Sequence, residues 1–264
     1  MISRKEQVQF ISTIQSQFSS KEFEWIAVKI NQTALVENSK KFNIFFSLVS
    51  RFISDKVCEW NSDQKEALEN IYPGFTLSNW NKQELARVQL MMSLPISVNK
   101  SIILSFFETA EIKEQVALYK GLYLLENAQE FTHQYTEGIR TNIADVFDAI
   151  AFGNPFAKAY LSEAEWNQLI LKCFFMDRNI SKVQGLDDGK NKDLATMLQE
   201  FVKERWAAGR QIPIEAWRMI EGYLREDVKE LILKRTSTGV EKEILDTLIA
   251  NKPLSPNYWN NNDK

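Results

Sequence analysis

At 264 residues the chain is long enough for one large hydrophobic core or two small ones, and its 44% hydrophobic and 25% charged content excludes wholesale disorder. Only 9 glycines and 6 prolines punctuate it, too few for the tight turns of a β-sandwich or barrel, so an all-α chain of long helices is expected. A net charge of −3, with basic clusters no longer than Lys40-Lys41 and the pair Arg205 and Arg210, argues against nucleic acid as a partner.

Residues 1–18 lack a continuous apolar run of leader-peptide length, because Gln, Ser and Glu interrupt them throughout. Phe23, Ile26, Ala27 and Ile30 mark a helix after Ser20. Ser39 is an N-cap candidate for the stripe Phe42, Phe46, Val49 and Ile53. This is the greasiest stretch of the chain, yet it is too short and too polar to span a bilayer. Residues 62–71 read as another helix, stopped by Pro73-Gly74. Leu85, Val88 and Met92 lead to Pro95, after which Ser97 is expected to cap a helix carrying Val98, Ile102, Ile103, Phe106 and Phe107.

Ile112, Val116, Tyr119 and Tyr123 share one helix face while Leu118, Leu122 and Leu125 line another, the pattern of a helix buried between neighbours. Gly121 on it reads as a point of close approach. Three segments, 119–127, 147–154 and 171–179, each end in an Asn suited to the left-handed conformation of a helix terminus. Their rough spacing without repeating identities predicts an irregular α-solenoid of stacked antiparallel helix pairs, HEAT- or armadillo-like, with a closed bundle as the alternative. Residues 1–252 are expected to form a single helical domain, with N-terminal helices over 1–95 and a core over 96–252. The last helix runs over about 240–250, and 253–264 is a Pro- and Asn-rich tail, frayed or pinned by Tyr258 or Trp259.

Chemistry is sparse. Two cysteines, Cys58 and Cys173, are too few for a disulfide scaffold or a cysteine zinc site, and they fit a reduced cytoplasmic setting. The single histidine, His133, removes multi-histidine zinc sites and the HExxH pattern, and Glu130 with His133 is one half of a di-iron motif that needs two. No metal, cofactor or catalytic set is expected. His133, Glu137 and Arg140 share a face, either as a solvated ion-paired side or as a groove wall with Arg140 clamping an anion. Asn167 falls among Leu171, Ile170 and Phe174 and should be buried, pinning a neighbouring helix or facing a ligand. Arg205 continues the inner stripe Leu194, Leu198, Phe201, so it snorkels at the helix end or meets an anion, with Arg210 close in sequence. The acidic loop 185–191, with Asp187 and Asn191, fails the EF-hand spacing, and Asn191 serves as an N-cap.

The run EGIRTN at 137–142, then VFDAIA at 146–151 with Asn154-Pro155, resembles the EboA family. So do Trp166-Asn167-Gln168 with Leu171-Lys172, Gly185-Leu186-Asp187 with Asn191, and ERWAAGR at 204–210, all in the same order across 112–217. The resemblance implies a role in the ebo gene cluster of bacteria and some algae. That cluster includes a prenyltransferase-like membrane protein and sugar-phosphate-type enzymes, and it is linked to making or exporting a secondary metabolite. It implies a pathway and no reaction. The leading expectation is therefore a non-catalytic binding or scaffold protein whose partners are other ebo-cluster proteins or a small metabolite. Its concave face would carry Arg140, Asn142, Asn167 and Lys172. The rival is a small-molecule enzyme using Asp187 or Glu137 as base beside an arginine clamp.

Overall fold

The computed structural model describes residues 2–36, 39–235 and 237–260, the last of them by its backbone only. It is all-α: the described residues form sixteen α-helices, and the one extended pairing among them is an isolated bridge between Val57 and Asn81. The chain divides into two compact units. The first comprises the residues up to Ser162 together with Lys182–Gln184, and the second comprises Glu163–Ser181 and the residues from Gly185 onward.

The first unit contains α1 (Arg4–Ile14), α2 (Ser20–Thr33), α3 (Ser39–Phe52), α4 (Ser62–Ile71), α5 (Lys82–Ser93) and α6 (Ile96–Phe107). It continues with α7 (Ile112–Gly121), α8 (Thr132–Gly138), α9 (Ala144–Ala151) and α10 (Phe156–Tyr160). Four of these helices start the same way. The side chains of Ser3, Ser19, Asn61 and Asn81 each accept the N–H three residues on, and Glu6, Glu22, Gln64 and Glu84 reach back to the cap's own N–H. Each such box satisfies two otherwise orphaned donors and contributes about 1 kcal/mol. Helix α3 already includes Ser39, expected to stand before it as the N-cap, and residues 37–38 lie outside the described residues.

Helix α5 is the hub of this unit. It packs against α2, α3 and α7, and α7 packs in turn against α9. All ten residues from Gln83 to Met92 are buried, polar ones included. Gly121 sits where expected, since a Cβ there would press on Val88 and Met91 of α5. Phe10, Trp60, Tyr72, Phe75 and Trp80 form a continuous aromatic cluster beside α4, where edge-to-face pairs add to simple area burial.

Two local expectations need correction. Helix α6 begins at Ile96 with Pro95 at its N-cap, not at Ser97. Proline holds the extended φ that the cap position requires, so the helix starts as soon as the ring permits. The three terminal asparagines do not adopt the left-handed conformation; the positive φ falls instead on Gly153 and Asp177. Asn154 is buried and donates from Nδ2 to the carbonyls of Ala149 and Tyr119, at 2.9 and 3.2 Å, while accepting from the Phe156 N–H. Asn127 pairs reciprocally with Asn99, at 2.8 and 2.9 Å. A buried amide that finds two partners gains more than a turn conformation would offer it.

The second unit contains α11 (Glu163–Phe175), α12 (Lys192–Ala207), α13 (Ile214–Ile220), α14 (Glu226–Leu233), α15 (Gly239–Ile249) and α16 (Asn257–Asn260). Helix α12 packs on α11 and α13, and α13 receives α15 and α16. The region 253–260 is held by two contacts. The Leu254 N–H donates to Glu221, and the Arg218 guanidinium lies 4.8 Å from the centre of the Trp259 ring.

Candidate functional site

Three helices of the first unit enclose a cleft of about 380 Å³. On α5 it is walled by Gln83, Glu84 and Arg87, on α7 by Lys113, Val116 and Lys120, and on α9 by Asp145, Asp148 and Ala149. Each set recurs at three- and four-residue spacing, so each helix turns one polar stripe toward the same space. Phe152 and Lys182 complete the wall. A second hollow, about 680 Å³, lies between α3, α5, α6 and α7, and Arg87 and Lys113 line both.

The buried charges on the wall are arranged unequally. Lys120 Nζ donates to Glu84 at 2.9 Å and to the Asn79 carbonyl at 2.7 Å, and it stands 4.9 Å from the centre of the Trp80 ring. Glu84 also accepts the Asn81 N–H, so both members of this pair are well supplied. Glu114, nearby on α7, accepts from the Ser47 hydroxyl and the Glu111 N–H. Arg87 differs. It is 3% exposed, and its one hydrogen bond runs from Nε to the Phe46 carbonyl at 3.3 Å. Its guanidinium lies 5.6 Å from the Phe46 ring centre, and no ion pair engages its terminal nitrogens among the described residues. Burial lowers the Arg87 pKa, while Glu114, Glu84 and Glu111 work against that shift through their charge.

None of the nine residues singled out from the sequence lines this cleft. In the first unit, Glu137 and Arg140 face solvent and pair with each other at 3.3 Å, and Asn142 is exposed. In the second, Asn167 is buried and exchanges hydrogen bonds with Asn191, at 2.8 and 3.2 Å, while Asn191 caps α12 through the Leu194 N–H. Asp187 meets Arg218, whose Nε donates to it at 2.9 Å, and this holds the Asp187 carboxyl below its usual range. Lys172 is half-buried, with its pKa lowered by burial. Arg205 donates to the Gln211 carbonyl at 2.8 Å, lies over the Phe201 ring and reaches Asp177 at 3.8 Å. Arg210 is exposed. His133 lies on the exposed side of α8.

Sequence reasoning missed the cleft because Glu84, Arg87, Lys113 and Lys120 look like solvated positions on amphipathic helices. The available signal was the crowding of α7, already apolar on two faces, which left its third face polar yet enclosed. Among the described residues, no three His, Cys, Asp or Glu side chains gather as a metal site would need, and no helix is long and apolar enough to cross a membrane.

The class so defined is an all-α protein with a charged, partly open cleft in its first unit. The chain belongs to the EboA family: the model of metabolite traffic protein EboA matches residues 7–221. That match reaches well into the N-terminal third, where no motif signals the family, and it takes in every helix that walls the cleft. No curated protein and no solved structure matches the chain.

Proposed function

We propose that this protein is a non-catalytic helical-repeat binder that holds a small metabolite in the α5–α7–α9 cleft. In this reading it serves ebo-cluster enzymes in the cytoplasm, during production or export of a secondary metabolite. One observation carries the reading: three helices turn polar stripes toward one partly open cleft of small-molecule size. The family's description as a metabolite traffic protein supports it. The enzyme reading called for a closed pocket with a carboxylate beside an arginine. The two bases foreseen, Asp187 and Glu137, lie beside Arg218 and Arg140, and their carboxylate side chains are 57% and 44% exposed, which favours binding over catalysis. We assign the exposed Arg140, Asn142 and Arg210, with Lys172, to partner contact. Asn167, Asn191, Asp187 and Arg205 we assign to the fold.

The test is to purify the protein from its native host and identify released small molecules by mass spectrometry, beside a Val116→Trp variant that fills the cleft. Near-stoichiometric small molecule on the natural chain, lost in the variant at unchanged circular dichroism, is expected. An empty natural chain, or equal retention by both, overturns the proposal.

A further inference from the structure

The cleft's charges say what kind of group it receives. We infer that Arg87 is its anion-binding residue and that the ligand presents a carboxylate to it; this rests on the binding role proposed above. A guanidinium cannot shed its charge at any ordinary pH, and it carries five N–H donors in a rigid plane. In Arg87 only the Nε–H donates, although the residue is 97% buried by its 3% exposure, and the remaining donors have no acceptor among the described residues. These terminal nitrogens are not sealed in the core: they open on the hollows, where water or an incoming group meets them. Two hollows reach this side chain, so an incoming group has access to it.

The nearby acids do not fill the role. Glu84 is committed to Lys120 and the Asn81 N–H, and Glu114 to Ser47 and the Glu111 N–H. They balance the arginine's charge at a distance and leave its fork open. This balance also selects the ligand. A phosphate dianion would bring two negative charges among Glu84, Glu111 and Glu114. A carboxylate brings one, and its planar oxygens match the fork in a bidentate pair. Lys113, shared by both hollows, offers a second cation at the rim.

The experiment uses the full chain, with Arg87→Met and Arg87→Lys variants, and two readouts. The first is metabolite retention, measured as for Val116→Trp. The second is the Arg87 Nε–Hε resonance, titrated with sodium acetate or sodium phosphate at constant ionic strength. Expected are a saturable shift with acetate, a weaker one with phosphate, and at least tenfold lower retention in both variants, since lysine keeps the charge and loses the fork. Ligand-free Arg87→Met should melt no lower than the natural chain, because it removes an unpaired buried charge. Should it fail to fold, Arg87→Lys and the titration carry the test. Retention intact in the Arg87 variants but lost in Val116→Trp keeps the cleft and overturns the arginine assignment. A natural chain that retains nothing overturns the binding role, and the acetate titration then decides alone: no shift ends the inference. Tighter response to phosphate than to acetate overturns the carboxylate assignment.

Discussion

The two units treat buried polar side chains differently. In the second, both buried amides are spent on the fold. Asn167 is locked to Asn191, and Gln199 donates to the Ala195 and Tyr223 carbonyls while accepting the Arg225 N–H. The first unit is similar in most places: Gln83 donates to the Ile53 carbonyl, Gln7 to the Leu124 carbonyl, and Asn99 pairs with Asn127. It departs at several points: Thr33 Oγ1, Trp80 Nε1 and Gln184 Oε1 are buried without a hydrogen-bond partner, and at the cleft Arg87 leaves most of its donors unspent. The contrast teaches how to sort buried polarity. A group whose partners lie within the protein is a fastener, and one whose partners are missing beside a cavity is a receptor.

The sharpest way to break the comparison is to remove a fastener within the cleft itself. Lys120→Met strands the Glu84 carboxylate in a site where the two side chains are only 8% and 10% exposed, and should cost about 3–5 kcal/mol in urea unfolding. Adding Glu84→Gln should recover much of that loss, whereas no recovery would mean that the pair is not the source. Next in size, Asn167→Ala leaves Asn191 half-satisfied and should cost about 1–3 kcal/mol with metabolite retention unchanged. Lost retention would make that amide a receptor and erase the distinction between the units.

A third measurement is the dependence of stability on pH. Burial would raise the Glu22 carboxyl, but hydrogen bonds from the Ser54 and Ser19 amides and the Ser19 hydroxyl, with the charge of Lys82, outweigh it and bring the pKa to about 2 from 4.5. The folded state thus favours the ionised form. Its contribution is complete above pH 4.5, declines as pH falls and is gone below about 2. Glu22→Gln should flatten urea midpoints across that window and cost about 1 kcal/mol at neutral pH, the size of a helix cap. The smallest effect is expected from Arg140→Ala, which removes an exposed ion pair and should change stability by under about 0.5 kcal/mol in the same assay.

Helix existence was legible along most of the chain, because periodicity and punctuation are local. Helix α4 ends before Pro73-Gly74, α12 starts on Asn191, and Cys173 is buried with Leu169 and Ile170 as its spacing required. Asn167 was recognisable as a buried amide for the same reason, although its partner was not, since Asn191 lies 24 residues away in sequence. Periodicity also groups Glu84 with Arg87, and Lys113 with Val116 and Lys120, on common faces. It does not say what those faces meet. Only the packing of α5 among α2, α3 and α7 turned polar positions that belong in water on an isolated helix into the wall of a cleft. The desolvation of Arg87 is a sum over neighbours distant in the chain, and no local pattern carries that sum.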